Sequence, residues 1–176
     1  MENPVFEIDH RRLFLQRVIT PEGIQSVKAL AERIWPLVYC HILGADQIDY
    51  MMKMMYRGNV IQNELGQGVE YYLVLDAAGR HIGYFSLYQV SESVGKLDKL
   101  YLVSAARGGG RGQKLLNWCV SWGRRRNLKQ LILNVNKNNS AAQKAYLRAN
   151  WKCLRSECND IGNGFVMDDF VFGIDL

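Results

Sequence analysis

Residues 107–112 read Arg-Gly-Gly-Gly-Arg-Gly, and they join a segment of strand type to one of helix type. A junction of this kind presents unpaired backbone N–H groups and the positive end of a helix dipole. Glycine lets the backbone approach a bound group closely, and Arg107 and Arg111 add positive charge. The loop therefore predicts a phosphate site, although glycine clusters are also common in flexible turns.

Two other phosphate-binding motifs fit this loop less well. The dinucleotide fingerprint needs an acidic residue about 20 residues beyond its glycines, whereas the segment after this helix begins with Arg124-Arg125-Arg126. A Walker A loop needs Gly-Lys followed by Ser or Thr, and this chain has Gly112-Gln113-Lys114. Both alternatives are therefore disfavoured.

The first third of the chain predicts one strand and two helices. Residues 13–18 have the mixed apolar and basic character of an edge strand. Thr20 and Pro21 are typical of a helix start, and the helix is expected to run to about Trp35, where Pro36 disrupts it.

A second helix is expected to begin at Asp46. Its apolar face, at spacings of three and four, consists of Ile48, Met51, Met52 and Met55. Such a face either packs on a sheet or lines a substrate pocket.

The remaining two thirds predict a sheet with interspersed helices. Strand patterns cover residues 69–75, 81–90, 96–103, 131–135, 151–157 and 165–174. One helix is expected after the glycine loop, and another, capped by Asn139 or Ser140, is expected to run to Ala149. In the strand predicted at residues 96–103, side chains should alternate between two faces. One face would carry Leu97, Lys99 and Tyr101, and the other would carry Asp98, Leu100 and Leu102. The order predicts an α/β fold of α+β character, with a mixed, mostly antiparallel central sheet and helices on both faces.

Composition sets broad limits on this chain. A length of 176 residues with 48% hydrophobic residues fits one domain over residues 1–176. The four cysteines form no metal-binding or disulfide pattern, so no metal is expected. Residues 1–12 lack the pattern of a signal peptide and no apolar run is long enough to cross a bilayer, so we expect a cytoplasmic protein that does not contact membranes.

The glycine loop and its neighbours resemble the GNAT superfamily of N-acetyltransferases. The loop matches that family's acetyl-CoA-binding motif Arg-x-x-Gly-x-Gly, and residues 100–103 look like its fourth strand. Asn139, Ala142 and Tyr146 reproduce the spacing of a later helix, and the similarity is close over residues 96–151. Ser104 departs from the pattern, because many members have proline there.

The resemblance implies acetyl-CoA as cosubstrate and a set of residues that bind it. These are Leu100, Leu102, Val103, Arg107, Gly108, Gly109, Gly110, Arg111, Gly112, Gln113, Asn134, Asn139, Ala142 and Tyr146. If the fourth and fifth strands part as they do in the family, the N–H of Leu100 would hold the oxyanion and Leu102 would bond the pantetheine arm.

Amide formation from a thioester also needs proton transfers. Tyr146 is the candidate acid that protonates the departing thiolate. Asp98 is the candidate base for the amine, acting directly or through water, and it also fits a surface or substrate-binding role. The reaction expected is acetyl transfer to a primary amine by direct attack through a tetrahedral intermediate.

The acceptor is the least constrained part of this hypothesis. Tyr39 and the helix around Tyr50 resemble the substrate side of bacterial polyamine-acetylating relatives, as does the terminal hairpin. A polyamine pocket should be lined with acids, for which the candidates are Asp46, Asp49, Asp98, Asp168 and Asp169. Acetylation of a protein lysine or N-terminal amine remains an alternative.

The sequence leaves two further properties open, namely whether the chain is an enzyme or a binding module and whether it forms a dimer. A non-catalytic module that senses acyl-CoA or binds RNA through residues 124–126 is an alternative, but no aromatic stacking platform lies beside that basic run and nucleic acid is not the expected partner. A homodimer is possible through the C-terminal strands and exposed aromatic side chains such as Phe170 and Phe172.

Overall fold

The computed structural model describes residues 5–9 and 13–176, so the interpretation of residues 1–12 as lacking a targeting signal lies largely outside the described residues. The strands are β1 Val5–Asp9, β2 Leu13–Arg17, β3 Glu70–Leu75, β4 His81–Gln89, β5 Val94–Leu102, β6 Gln130–Asn136, β7 Lys152–Gly162 and β8 Phe165–Asp175. The helices are α1 Pro21–Tyr39, α2 Ala45–Tyr56, α3 Val60–Gly66, α4 Arg111–Arg125 and α5 Ser140–Arg148, with a 3₁₀ turn at Ser104–Ala106.

All described strands form one sheet in the order β1-β2-β3-β4-β5-β6-β8-β7. Every neighbouring pair is antiparallel except β5 and β6, which run parallel. Helices cover both faces: α4 and α5 pack on one apolar cluster, and α1, α2 and α3 pack on another. This confirms the predicted fold class, because alternating apolar residues in the central strands supply a core to each layer.

Helix α1 continues through Pro36, where the sequence predicted a break. Proline removes one backbone donor, which typically costs about 3 kcal/mol inside a helix. The last turn nevertheless forms, with the Cys40 N–H donating to the Pro36 carbonyl at 3.0 Å. Trp35 is buried and its ring lies 5.7 Å from that of Tyr101 on β5, measured between centroids, so packing on the sheet holds this turn in place.

One prediction about the sheet edges is wrong, and a second is confirmed only for β7, which is the last strand of the sheet. Strand β2 lies inside the sheet, because β1 pairs along its outer side. Strand β8 also lies inside, between β6 and β7, so Phe172 is only 2% exposed and Phe170 is half-buried. The aromatic side chains proposed for a dimer contact therefore belong to the core of the protein.

A bulge in β5 changes the faces that simple alternation predicted. Leu97 lies opposite Leu87 and Lys99 opposite Ser86, which leaves Asp98 as the extra residue. Leu97 consequently packs in the same cluster as Leu100 and Leu102, whereas Tyr101 packs on the opposite face of the sheet. Bulges of this kind re-aim side chains and are frequent beside functional sites.

Candidate active site

The parallel strands β5 and β6 part soon after they begin. They pair only between residues 94–96 and residues 130–132, although β5 runs on to Leu102 and β6 to Asn136. The parting that the family resemblance implied therefore occurs. It leaves a gap in the sheet between the second half of β5 and the second half of β6.

A cavity of about 350 Å³, here named the donor cavity, opens at this gap. Strand β5 contributes Leu100 and Leu102, and strand β6 contributes Asn134. Further walls come from the end of α1, through Val38 and Tyr39, and from the glycine loop and α5, through Arg107, Gly108, Gly112, Asn139, Ala142, Tyr146 and Arg148. A second depression of about 370 Å³ continues over the loop and adds Gly110 and Gln113.

The glycine loop has the open backbone of an anion site. Gly108, Gly109 and Gly110 have φ values of 83°, 60° and 77°, a left-handed conformation that glycine adopts without strain. Helix α4 then begins at Arg111, and within residues 13–176 no backbone carbonyl accepts a hydrogen bond from the N–H of Gly112 or Gln113. These N–H groups point outward from the positive end of the helix dipole, as phosphate binding requires.

Most of the residues predicted for acetyl-CoA line the two depressions, and three do not. Gly109 and Arg111 belong to the loop without lining either space. The Val103 N–H donates to the Ile82 carbonyl at 2.9 Å, and its side chain packs beneath α1. Val103 therefore fixes the end of β5, while the Arg107 Nε holds the Leu102 carbonyl at 3.1 Å.

Asn139 caps α5 in addition to lining the donor cavity. Its Oδ1 accepts a hydrogen bond from the Ala142 N–H at 3.2 Å. An N-cap of this type satisfies one of the free donors at a helix start and fixes the direction of the helix. Because Ala142 and Tyr146 lie on that helix, the cap also positions the tyrosine ring.

Replacing Asn139 with alanine is expected to lower the free energy of unfolding by about 1 kcal/mol, since the Ala142 N–H loses its acceptor. Urea unfolding measures this. Asn139→Asp keeps an acceptor and should stay near the parent value. Asn138→Ala is the matched control, because Asn138 is exposed and its side chain makes no hydrogen bond within residues 13–176. Equal losses for Asn139→Ala and Asn138→Ala would contradict the capping role.

Tyr146 lies at the inner end of the donor cavity. Its ring packs at 6.3 Å from Trp151 and 6.1 Å from Phe172, measured between ring centroids. Burial raises the pKa of the hydroxyl, and the nearby Tyr39 adds to the effect. The raised pKa keeps this hydroxyl protonated. Among the described residues no group accepts a hydrogen bond from it, so its proton is not engaged by another side chain or backbone carbonyl there.

A second cavity, here named the acceptor cavity, lies on the α1 and α2 side of the sheet and measures about 340 Å³. It shares Tyr39, Asp98, Tyr101 and Asn134 with the donor cavity. The hydroxyl oxygens of Tyr39 and Tyr101 are 3.0 Å apart at this boundary. The two spaces thus meet where β5 and β6 part.

The walls of the acceptor cavity are polar on the sheet side and apolar on the helix side. Helix α2 provides Met51 and Met55. The sheet provides charged and amide side chains, namely Lys96, Asp98, Lys99, Asn134, Asn136, Glu157, Asn159 and Asp169. The sequence left open whether the methionine face of α2 packs on the sheet or lines a pocket. Met51 does both, because it is buried in the core and also lines the acceptor cavity.

Asp98 lies between two lysines. Its carboxylate is 2.6 Å from the Lys99 Nζ and 3.7 Å from the Lys96 Nζ. Lys99 is itself only 5% exposed and also lies 3.6 Å from Glu64. Burial raises the pKa of Asp98, but the two lysines outweigh it and the net pKa is lowered.

Tyr50 lines neither cavity. Its hydroxyl donates to the Ile161 carbonyl at 2.6 Å, and its ring lies 5.3 Å from that of Phe165. It thus fastens α2 to the hairpin of β7 and β8. Among the five acids proposed for an amine pocket, Asp98 and Asp169 line the acceptor cavity, whereas Asp49 pairs with Lys53, Asp168 pairs with Lys137, and Asp46 is exposed.

Sequence reasoning missed several residues of the two cavities. Arg148 lines the donor cavity, two positions after Tyr146 on α5, and Lys96 and Glu157 line the acceptor cavity. Helical spacing from Ala141 and Ala145 could have indicated Arg148. Nothing local marks Glu157, because its position depends on pairing with Asp169 of β8.

The described residues hold neither a membrane-spanning helix nor a cluster of metal ligands. None of the helices there is long and apolar enough to span a membrane. No group of three or more histidine, cysteine, aspartate or glutamate side chains in that part of the chain is arranged to hold a metal ion.

The profile of the acetyltransferase (GNAT) family matches residues 28–151. The structure is similar to PaiA N-acetyltransferase from Thermoplasma acidophilum, solved with coenzyme A, with a TM-score of 0.75, 18% identity, and coverage of 92% of this chain and 99% of that one. It is also similar to spermidine N-acetyltransferase from Vibrio cholerae, solved with coenzyme A and spermine, with a TM-score of 0.66, 15% identity, and coverage of 93% and 95%.

A third similar structure is RimL, a ribosomal alpha-N-protein acetyltransferase solved with coenzyme A. Its TM-score is 0.70 at 14% identity, with 98% of each chain covered. At these identities the likeness concerns the fold. No curated protein sequence matches the chain.

Proposed function

This chain belongs to the GNAT family of acetyltransferases, and we propose that it moves the acetyl group of acetyl-CoA to a primary amine of a small, polyamine-like molecule. Family membership confirms an acyltransferase with acetyl-CoA as cosubstrate. The acceptor class is the proposed part. One observation carries it: an acceptor cavity with three carboxylates meets the donor cavity at the gap between β5 and β6.

The donor half of the proposal rests on the loop and the gap. The pyrophosphate of acetyl-CoA lies over the N–H groups of Gly110, Gly112 and Gln113, where the start of α4 favours negative charge. Arg107 and Arg148 line the same space and add positive charge. The pantetheine arm enters between β5 and β6, which brings the thioester towards Tyr146.

The acceptor half rests on charge and shape. An alkylammonium group has a pKa of about 10.4 and enters as a cation. The acceptor cavity presents the carboxylates of Asp98, Glu157 and Asp169, and the methionines of α2 face a hydrocarbon chain. The Tyr39 and Tyr101 hydroxyls lie where the amine passes from one cavity to the other.

The chemical step joins the two halves. The amine nitrogen attacks the thioester carbonyl, the N–H of Leu100 holds the oxyanion, and the C–S bond then breaks. Tyr146 donates its proton to the departing sulfur. The raised pKa of Tyr146 keeps the hydroxyl protonated throughout the neutral range.

Purified protein is expected to release free coenzyme A from acetyl-CoA when diamines or polyamines are added. A panel of diamines, polyamines, amino acids and peptides, assayed with labelled acetyl-CoA and by thiol release, tests this. Acetylated polyamine confirmed by mass spectrometry supports the proposal. Transfer to peptides alone would show that the acceptor is a protein amine. The similarity to RimL, an alpha-N-protein acetyltransferase, is the reason to test this alternative.

A further inference from the structure

We propose that Asp169 is the carboxylate that holds the protonated acceptor amine and takes its proton. The inference rests on the proposed function for its substrate, but it concerns the acid-base chemistry of the cavity whichever amine enters. The sequence offered Asp98 as the base, directly or through water. The contacts of the two aspartates distinguish them.

Asp169 lies in the middle of a polar row across three strands. In register it is opposite Asn136 of β6 and opposite Glu157 of β7, so the three side chains share one face of the sheet. That face is the wall of the acceptor cavity. Asp169 is 4% exposed, and no other aspartate or glutamate in the described part of the chain has so small a solvent-exposed fraction.

Asp169 differs from the other two carboxylates of the cavity in its partners. Asp98 is held by Lys99 and Lys96, and Glu157 is held by Arg155 at 2.7 Å. Within residues 13–176 no lysine, arginine or histidine forms an ion pair with Asp169. A buried carboxylate without a cation is costly, and a bound ammonium group would supply the missing charge.

The surroundings of Asp169 also suit a base. Burial raises the pKa of Asp169. A hydrogen bond from Asn134 and the positive charge of Lys96 lower it by less, so the net pKa is raised. A higher pKa brings a base closer to the ammonium that it must deprotonate. The other titratable groups that line the cavity are Tyr39 from α1, Lys96, Asp98, Lys99 and Tyr101 from β5, and Glu157 from β7. Asp98, with its lowered pKa, is the weaker base.

In the reaction the amine nitrogen loses two protons and the thioester loses its C–S bond. One ammonium proton passes to the Asp169 carboxylate, and the freed lone pair forms the N–C bond to the acetyl carbon. The C–S bond breaks, and the sulfur takes the Tyr146 proton. The second proton lost by nitrogen restores Tyr146, and Asp169 releases its proton to solvent. The products are the amide, coenzyme A and one proton.

Asp169→Asn tests the inference with Asp168→Asn as its matched control. The control changes the adjacent residue of β8, whose carboxylate pairs with Lys137 and does not line the cavity. Asp169→Asn is expected to lower kcat/KM for the amine by about 100-fold or more at pH 7. Asp168→Asn should leave kcat/KM unchanged, and both variants should bind coenzyme A as the parent does.

A pH series separates a base from a merely structural residue. Without Asp169 only the unprotonated amine reacts, and its fraction rises about tenfold per pH unit up to the amine pKa near 10.4. The ratio of parent kcat/KM to that of Asp169→Asn should therefore fall about tenfold per pH unit over this range. A structural defect would give the same deficit at every pH. Asp98→Asn should show such a pH-independent loss. Equal kcat/KM for Asp169→Asn and Asp168→Asn, or a pH-independent deficit in Asp169→Asn, would overturn the inference.

Failure of the proposed function gives a different pattern. If the parent acetylates peptides and no small amine, the same variants are assayed with that peptide, and the expected contrast between Asp169→Asn and Asp168→Asn is unchanged. If no acceptor is found, carbon-13 labelling of aspartate follows the carboxyl titration directly. A resonance that titrates above the ordinary aspartate range and vanishes in Asp169→Asn supports the inference, and its absence contradicts it.

Discussion

Replacing Gly110 with aspartate is expected to abolish acetyl-CoA binding. Gly110 precedes α4 with φ of 77°, a region that a side chain with a Cβ adopts only at a cost. No atom lies within 4 Å of an added Cβ, so the change disturbs the loop without a clash in the core. The carboxylate would lie at the start of α4, where the pyrophosphate carries its own negative charges. Isothermal calorimetry with acetyl-CoA measures the effect.

Two variants separate charge from strain in this experiment. Gly110→Asn adds a side chain of similar size, tolerates the left-handed region and carries no charge, so it should bind acetyl-CoA with an intermediate affinity. Gly79→Asp places the same charge and a similar strain, at φ of 74°, in the turn between β3 and β4 and should bind normally. If Gly110→Asp bound acetyl-CoA with the affinity of the parent, the glycine loop would not be part of the acetyl-CoA site.

Replacing Tyr146 with phenylalanine is expected to lower kcat by about 10² to 10⁴-fold, the usual contribution of a positioned acid. The ring keeps its contacts with Trp151 and Phe172, so the fold and the cavity should persist. Only the hydroxyl proton is lost, and the thiolate then leaves unprotonated. Steady-state kinetics, together with calorimetric binding of coenzyme A, should show a fall in kcat with nearly unchanged affinity.

Tyr88→Phe is the control for removal of a tyrosine hydroxyl. Tyr88 lies on β4, is half-buried and lines neither the donor nor the acceptor cavity. Its substitution should leave kcat unchanged. A Tyr146→Phe enzyme with parental kcat would show that the thiolate is protonated by another group, and a parallel loss of coenzyme A affinity would show a structural role.

Several parts of this protein could be predicted from local signals in its sequence. A glycine loop between a strand and a helix requires left-handed backbone and free N–H groups, and residues 108–110 adopt it. Thr20 caps α1 and Asn139 caps α5, as their side-chain chemistry predicts. Alternating apolar residues predicted most of the strands. The family resemblance over residues 96–151 predicted that Leu100, Ala142 and Tyr146 belong to one site, and all three line the donor cavity.

Other features depend on partners elsewhere in the fold and could not be predicted from local signals. Helix α1 passes through Pro36 because Trp35 packs on the sheet, and β2 lies inside the sheet because β1 pairs with it. The bulge at Asp98 arises from its register with β4 and brings that carboxylate to the buried Lys99. Asp169 shows no local mark, because an acid on a strand looks the same in sequence whether it faces solvent or a cavity. Glu157 lies beside it through the local hairpin of β7 and β8, but the burial of Asp169 also requires pairing of β8 with β6, a strand that is distant in the chain.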